Sequence, residues 1–209
     1  GRFIFYSLLA VGLIMVILLP TFYSLLGSKG TATSISWSLK SEYNPLLMAS
    51  KLFIGSFDFH EMQKGYPNIF VGSLALFSFL CYFKEKKISL SQRLYALFIT
   101  VIILISFNIE MFDKLWHAGQ LPNWYSYRFS FLFSFWLVFL GYQWTLKKTA
   151  VGLHETFVYF FLVLATSIGF ILFPQDYLQG WQIALGFGLS MGILYGLILI
   201  GRGKRTHQK

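Results

Sequence analysis

The stretch FIFYSLLAVGLIMVILLPTFYSLL, residues 3–26, decides the class of fold because it contains no charged residue. A helix of about 20 apolar residues crosses the hydrocarbon core of a bilayer, which is about 30 Å thick. A barrel strand would alternate apolar and polar residues, and this stretch does not alternate. Residues 3–26 therefore predict a membrane-spanning α-helix, which Pro20 kinks or ends.

Similar apolar blocks follow along the whole chain. Hydrophobic residues make up 56% of the sequence and charged residues 12%, against about 25% charged residues in soluble domains. Since the bilayer core offers no water to backbone groups, those groups must be bonded within each helix. We therefore predict an all-α integral membrane protein with about six transmembrane helices in one bundle. The predicted spans are residues 3–26, 67–83, 93–112, 127–144, 155–174 and 181–201.

Lysine and arginine set the predicted orientation, because cytoplasmic loops carry the excess of both. Basic residues are concentrated on one set of short connectors and on the C-terminal tail. They are Arg2, Lys84, Lys86, Lys87, Arg93, Lys147, Lys148, Arg202, Lys204, Arg205 and Lys209. Both ends of this chain are then cytoplasmic, and the loops 27–66 and 113–126 face outside. This topology and anionic lipid account for the net charge of +9, so membrane lipid is an expected partner and nucleic acid is not.

The first outer loop, 27–66, combines a short helix with an acid–base cluster. Asn44 and Pro45 can begin a helix, and the apolar residues that follow predict an interfacial helix against lipid. The cluster consists of Asp58, His60 and Glu61. Its spacing suits a divalent metal or a general base. It is also typical of a solvated loop, and both interpretations stay open at this point.

The second outer loop, 113–126, and the start of the next span hold a set of aromatic and polar residues. The set consists of Trp116, His117, Asn123, Trp124, Tyr127 and Arg128. An aromatic belt at the membrane surface accounts for the rings, but it does not account for Arg128 ahead of an apolar helix. A cation beside the positive helix end suits a phosphate. An ion pair of Arg128 with Glu110 or Asp113 is the alternative.

Two stretches resemble the bacterial YfhO family of membrane proteins. The first is YPNIFVG at 66–72 with YF at 82–83. The second is SFN at 106–108, then WH at 116–117 and PNWYSYRFSFLFSF at 122–135. The second stretch is long and unusual, so the resemblance is specific, and its firm part covers about residues 44–142.

The resemblance implies a GT-C-like membrane core and sugar transfer outside the cytoplasmic membrane of Gram-positive bacteria. The donor would be a sugar linked to undecaprenyl phosphate, and the acceptor would be a cell-envelope polymer such as lipoteichoic acid. Family members are several times longer, so we expect this chain to be an internal piece. The catalytic acid that GT-C enzymes carry in their first outer loop would then lie outside it.

Our own hypothesis assigns the residues within this glycosyltransferase scheme. Arg128 and His117 would hold the donor phosphate, while Asp58 would serve as the base. Trp116, Asn123, Trp124 and Tyr127 would contact the substrate, with the aromatic rings stacked on the sugar. The sequence identifies no cofactor.

Two other classes of function stay open. A transporter or flippase for a lipid-linked or other anionic solute would place ionisable residues near the bilayer midplane, and the span centres hold almost none. A non-catalytic membrane segment of a longer protein is the third interpretation.

Overall fold

The computed structural model describes residues 2–26, 38–117, 119, 122, 124–147 and 151–206, with the backbone alone for residues 25, 26 and 200–206. Within those residues the chain is helical and contains no strand. Two isolated bridges, Ser41 with Ile109 and Gln175 with Leu178, are the only strand-like pairings in this described part. The predicted all-α class is thus confirmed.

The described helices follow one another along the chain. They are α1 (Arg2–Leu26), a 3-10 helix (Pro45–Leu52), α2 (Phe59–Lys64), α3 (Ser73–Tyr82), α4 (Leu90–Ser106), α5 (Glu110–Trp116), α6 (Ser130–Lys147), α7 (Leu153–Leu172) and α8 (Gly180–Thr206). The chain forms two compact units, Gly1–Trp37 and Ser38–Lys209. The first unit contains α1, and the second contains all the other elements.

Three of the described helices are long and apolar enough to cross a membrane. They are Arg2–Ser24, Leu153–Leu172 and Gly180–Leu199, which lie in the first, fifth and sixth predicted spans. The first helix continues past Pro20 to Leu26, so this proline does not end it. The fourth helix, with 17 residues, is a shorter apolar helix at the third predicted span.

The predicted span 67–83 contains a helix only from Ser73 to Tyr82, which is 10 residues. Ten residues of α-helix measure about 15 Å, roughly half the thickness of the hydrocarbon core. Pro67 has no backbone N–H to donate. Gly72 has a φ of 77°, a left-handed conformation that glycine adopts readily. These two residues delay the start of the helix.

The core of the second unit forms where α3 packs against α6 and α8, and Tyr159 of α7 reaches into it. A Cβ atom at Gly141 would lie only 3.1 Å from the carbonyl oxygen of Ala75, so glycine permits this close approach. Phe77 is fully buried, and its ring meets Trp144 and Tyr159 edge-on at centroid distances of 5.7 and 5.2 Å. This core holds the C-terminal half of α6, and the residues of the second outer loop precede the N-terminal end of that helix.

The predicted helix of the first outer loop is a 3-10 helix. The Asn44 side chain accepts a hydrogen bond from the Leu46 N–H at 3.1 Å, and Pro45 is the first helical residue, as expected for a capped start. Leu46 is exposed, whereas Ser50 and Lys51 are fully buried within the protein.

Candidate functional site

An open cavity of about 540 Å³ lies between the second outer loop and the start of α6. It is lined by Trp116, His117, Pro122, Arg128, Phe129, Phe131 and Leu132. The structure therefore brings three of the predicted substrate-binding residues, Trp116, His117 and Arg128, to one cavity.

The short helix α5 positions Trp116 and His117. Its N-terminal end is fixed to the segment 38–43, because Glu110 N–H donates to the Lys40 carbonyl at 3.1 Å and Met111 N–H donates to the Ser38 carbonyl at 3.0 Å. At its C-terminal end, Gly119 donates its N–H to the Lys114 carbonyl at 2.7 Å. Gly119 has a φ of 87°, the left-handed conformation that commonly closes a helix.

Arg128 is exposed and is held by two backbone carbonyl groups. Its Nε donates to the Tyr125 carbonyl at 3.3 Å, and its Nη2 donates to the Trp124 carbonyl at 3.0 Å. The alternative of an ion pair between Arg128 and Glu110 or Asp113 is not found among the described residues. Each of those carboxylates has a partner one helical turn away on α5: Glu110 pairs with Lys114, and Asp113 faces His117.

The four-residue spacing of those two α5 pairs is visible in the sequence, and it could have predicted them. Among the described residues, no carboxylate therefore neutralises the guanidinium group of Arg128.

The backbone of Trp124 and Tyr125 provides the two carbonyl groups that accept from Arg128, and Tyr125 has an unusual conformation. Its φ of 56° is uncommon for a residue with a side chain, so the surrounding contacts must maintain it. One such contact is the hydrogen bond from Tyr125 N–H to the Met62 carbonyl at 3.0 Å, which fixes this turn to α2. The ring of Trp124 packs against Phe59 of the same helix, at a centroid distance of 5.5 Å.

The predicted aromatic residues take different positions. Trp116 is 46% exposed and stacks on Phe129 with a centroid distance of 4.8 Å and an angle of 9°. Tyr127 is 8% exposed, and its hydroxyl donates to Glu42 Oε2 at 2.6 Å. Because the Tyr127 ring is packed inside the protein, it has no open face for a sugar, and its assignment as a stacking residue is corrected. Asn123 lies outside the described residues.

His117 contacts Asp113 twice. The imidazole Nδ1 lies 3.0 Å from the Asp113 carbonyl oxygen and 3.5 Å from the carboxylate Oδ1. A carbonyl oxygen only accepts hydrogen bonds, so Nδ1 carries the proton and Nε2 is the unprotonated nitrogen of the neutral ring. Burial lowers the pKa of His117, with the Arg128 charge adding to this effect.

Asp113 is fully buried, and neither of its carboxylate oxygens has a hydrogen-bond partner among the described residues. Burial and, to a smaller extent, the nearby Glu42 carboxylate together raise the pKa of Asp113 to about 7. Burial also raises the pKa of Glu42 itself, while the hydrogen bond from Tyr127 opposes that shift. A buried carboxylate without hydrogen-bond partners is costly and is more common at functional sites than elsewhere.

The comparison with known families decides the identity of the chain. The family model described as "Bacterial membrane protein YfhO" matches residues 1–209. This chain belongs to the YfhO family. The match confirms the resemblance and extends it from residues 44–142 to the whole chain. No curated protein and no solved structure matches the chain.

The acid–base cluster of the first outer loop, Asp58, His60 and Glu61, does not line the cavity of this YfhO-family chain. Asp58 is exposed, and its Oδ1 accepts a hydrogen bond from the Glu61 N–H at 2.9 Å, which caps α2. His60 is also exposed. The described residues contain no group of three or more metal-ligating side chains. The role of Asp58 as a base stays a prediction.

Glu61 has a structural partner that the sequence did not indicate. Lys51 is fully buried and forms an ion pair with Glu61, and it also donates to the Ser56 carbonyl at 2.6 Å. The Lys51 ammonium lies 3.7 Å from the centroid of the Tyr177 ring, within cation–π range. In this YfhO-family chain the pair connects the first outer loop to the connection between α7 and α8.

Proposed function

We propose that the cavity binds the phosphate of a polyprenyl-phosphate-linked sugar at the outer surface of the cytoplasmic membrane. The chain would then be part of a glycosyltransferase that moves the sugar to a cell-envelope polymer such as lipoteichoic acid. Membership in a family of bacterial membrane proteins and the helices long enough to cross a bilayer support the membrane location. The outward orientation of the cavity rests on the distribution of lysine and arginine.

The observation that carries this proposal is the position of Arg128. Its guanidinium group is exposed at a cavity, and among the described residues it bonds only to backbone carbonyls. A guanidinium group presents five N–H donors in a planar fork, which matches two oxygens of a phosphate group. His117 and the half-exposed ring of Trp116 line the same cavity. A cation, an imidazole and an open aromatic face together suit a sugar phosphate.

An apolar surface continues from the cavity along α6. Phe131 lines the cavity and is 66% exposed, and Phe135, one turn further, is also 66% exposed. Phe139 follows at the same four-residue spacing and is 39% exposed. Residues four positions apart lie on one face of a helix. A polyprenyl chain could therefore follow this face into the membrane while its phosphate stays at Arg128.

The transporter interpretation has less support. Transporters place ionisable residues or broken helices near the bilayer midplane. The two longest apolar segments of the second unit, Leu153–Leu172 and Gly180–Leu199, are continuous helices. After Glu155 in the first turn of α7, neither segment contains Asp, Glu, Lys or Arg.

The proposal is tested in a strain that lacks the protein. The sugar substituents on purified lipoteichoic acid are measured after wild type, Arg128→Ala or Arg128→Lys is supplied. Wild type is expected to restore the sugar. Arg128→Ala and Arg128→Lys are each expected to lower it about tenfold or more, because lysine keeps the charge but loses the planar fork. Lys64→Ala, which removes an exposed cation of α2, is the matched control and is expected to act like wild type.

Normal sugar content with a well-expressed Arg128→Lys variant would contradict the phosphate role. Equal sugar content in the deletion strain and in wild type would favour a transporter or a non-catalytic segment instead.

A further inference from the structure

We propose that His117 is the acid–base residue of the cavity and that Asp113 is the carboxylate that positions it. This inference rests on the proposed function, because it assigns the proton transfer that sugar transfer to a hydroxyl group requires. It assigns an acid–base role to a residue that lines the cavity, which Asp58 does not.

The first observation is the orientation of the imidazole. Since Nδ1 donates to the Asp113 carbonyl at 3.0 Å, the side chain presents Nε2 as its free acceptor. The His117 ring packs edge-on against Phe129, at a centroid distance of 5.8 Å. Backbone and ring contacts therefore fix an imidazole at the wall of the cavity, with Arg128 on the same wall.

The second observation is the carboxylate behind that imidazole. Asp113 Oδ1 lies 3.5 Å from Nδ1, and the Asp113 side chain is fully buried without a hydrogen-bond partner among the described residues. A structural carboxylate at this position would be expected to have partners. A carboxylate that stabilises the positive charge of an imidazolium ring needs only to lie close to that ring. The charge of Asp113 gains its natural partner when Nε2 takes up a proton.

The proposed step balances protons and electrons. The acceptor hydroxyl oxygen forms a bond to the anomeric carbon of the donor sugar, and the bond between that carbon and the phosphate oxygen breaks. The electron pair leaves with the polyprenyl phosphate, whose charge Arg128 compensates. Nε2 of His117 takes the hydroxyl proton and later returns it to the departing phosphate. The protein is left unchanged, and no metal or redox partner is needed.

The pH dependence follows from the groups around the imidazole. They are Glu110, Asp113 and Lys114 from α5, Tyr127 and Arg128 from the turn before α6, and Glu42 from the segment 38–43. Because burial lowers the pKa of His117 below its usual 6.5, the imidazole is neutral at pH 7 and can accept a proton. Transfer should then be lost as the pH falls through the pKa of His117.

The first part of the test does not depend on activity. The full chain is purified in detergent with ¹⁵N-labelled histidine, and the His117 signal is identified by its loss in His117→Gln. Asp113→Asn is expected to lower the titration midpoint of His117, because Asp113 can ionise when the imidazole takes up the proton that the two side chains share, whereas asparagine cannot. A midpoint equal to that of wild type would overturn the positioning role of Asp113, whatever the function of the protein.

The second part measures sugar on lipoteichoic acid at matched expression. His117→Gln is expected to lower transfer about 100-fold or more and Asp113→Asn about tenfold, the usual range for an acid–base group and its support. His154→Gln, at the opposite end of the helices, is the control. Normal transfer by His117→Gln with impaired Arg128→Ala would overturn only this inference. Normal transfer by both variants would overturn the proposed function as well.

Discussion

Each outer-loop region contains a cluster of charged and ionisable side chains, and the clusters differ in how completely these side chains are bonded. In the first loop, Lys51 is bonded to Glu61 and to the Ser56 carbonyl, and the Tyr177 ring covers it. In the second loop, Asp113 has no hydrogen-bond partner among the described residues, and Arg128 is exposed at a cavity. The first cluster is closed, and the second is open to a ligand.

This difference distinguishes charged side chains that stabilise the fold from charged side chains that are available to bind a ligand. Burying a charge is costly unless it is paired and hydrogen-bonded, and the Lys51 cluster meets that condition within the protein. The Asp113 cluster does not meet it. Its carboxylate is compensated only when His117 is protonated, and the charge of Arg128 is compensated only when an anion is bound. The unpaired state therefore marks the second cluster as the candidate site.

Breaking the closed cluster should have the largest effect on stability. Lys51→Met leaves the Glu61 carboxylate, which is 8% exposed, without its cation. Removing one partner of a buried ion pair costs about 3–5 kcal/mol. We expect a lower melting temperature in detergent, measured by tryptophan fluorescence. The double variant Lys51→Met/Glu61→Leu should recover most of the loss, because apolar replacement of both partners is often neutral.

Lys64→Met serves as the matched control for the closed cluster, since Lys64 is exposed in the same region of the first loop. A Lys51→Met variant that melts together with Lys64→Met would show that the ion pair contributes little. The first cluster would then lose its distinction from an ordinary solvated loop.

The sequence predicted the fold class and three of the seven residues that line the cavity, for physical reasons that operate locally. Uncharged stretches such as residues 3–26 require a membrane and hence helices. Trp116 and His117 end one short helix, and Arg128 comes just before the next, so closeness along the chain places them near one another. The proximity of these residues could therefore be predicted from their positions along the chain alone.

Contacts between distant segments could not be predicted in this way. Lys51 is covered by Tyr177, and Tyr127 donates to Glu42, which lies 85 positions away in the chain. Neither pairing follows from periodicity, because each depends on how the connections fold over the helix ends. The cap that Asp58 forms on α2 is by contrast a local contact, three residues along the chain, and the role of Asp58 as a base stays a prediction.

The open cluster should show an unusual dependence of stability on pH. The pKa of Asp113 is about 7 in the folded protein and 3.8 as its ordinary value. Between these values the folded state holds a proton that the unfolded state releases, so stability falls as the pH rises from about 4 to about 7. Asp113→Asn removes this loss of stability at higher pH, because asparagine does not ionise. The variant should melt about 2–4 °C above wild type at pH 8, and the difference should shrink towards pH 4.

Asp58→Asn is the control for that measurement, because Asp58 is exposed and asparagine caps a helix about as well as aspartate. It should show no such gain at pH 8. Parallel melting curves for wild type and Asp113→Asn from pH 4 to pH 8 would mean that the Asp113 carboxylate is compensated in the folded protein. The carboxylate of the second cluster would then be paired within the protein, as the charges of the first cluster are.

The smallest expected effect concerns the open ring of Trp116. Its stacking partner Phe129 covers one face, and the side chain remains 46% exposed at the cavity. If the other face stacks on the donor sugar, Trp116→Ala should lower the sugar on lipoteichoic acid about two- to tenfold at limiting expression, and Trp116→Phe should lower it less. Trp181→Ala, which removes a tryptophan that is 59% exposed on α8, is the matched control. Equal losses from Trp116→Ala and Trp181→Ala would assign both residues to the aromatic belt at the membrane surface. The ligand in the cavity would then be held by Arg128 and His117 without an aromatic contact to the sugar.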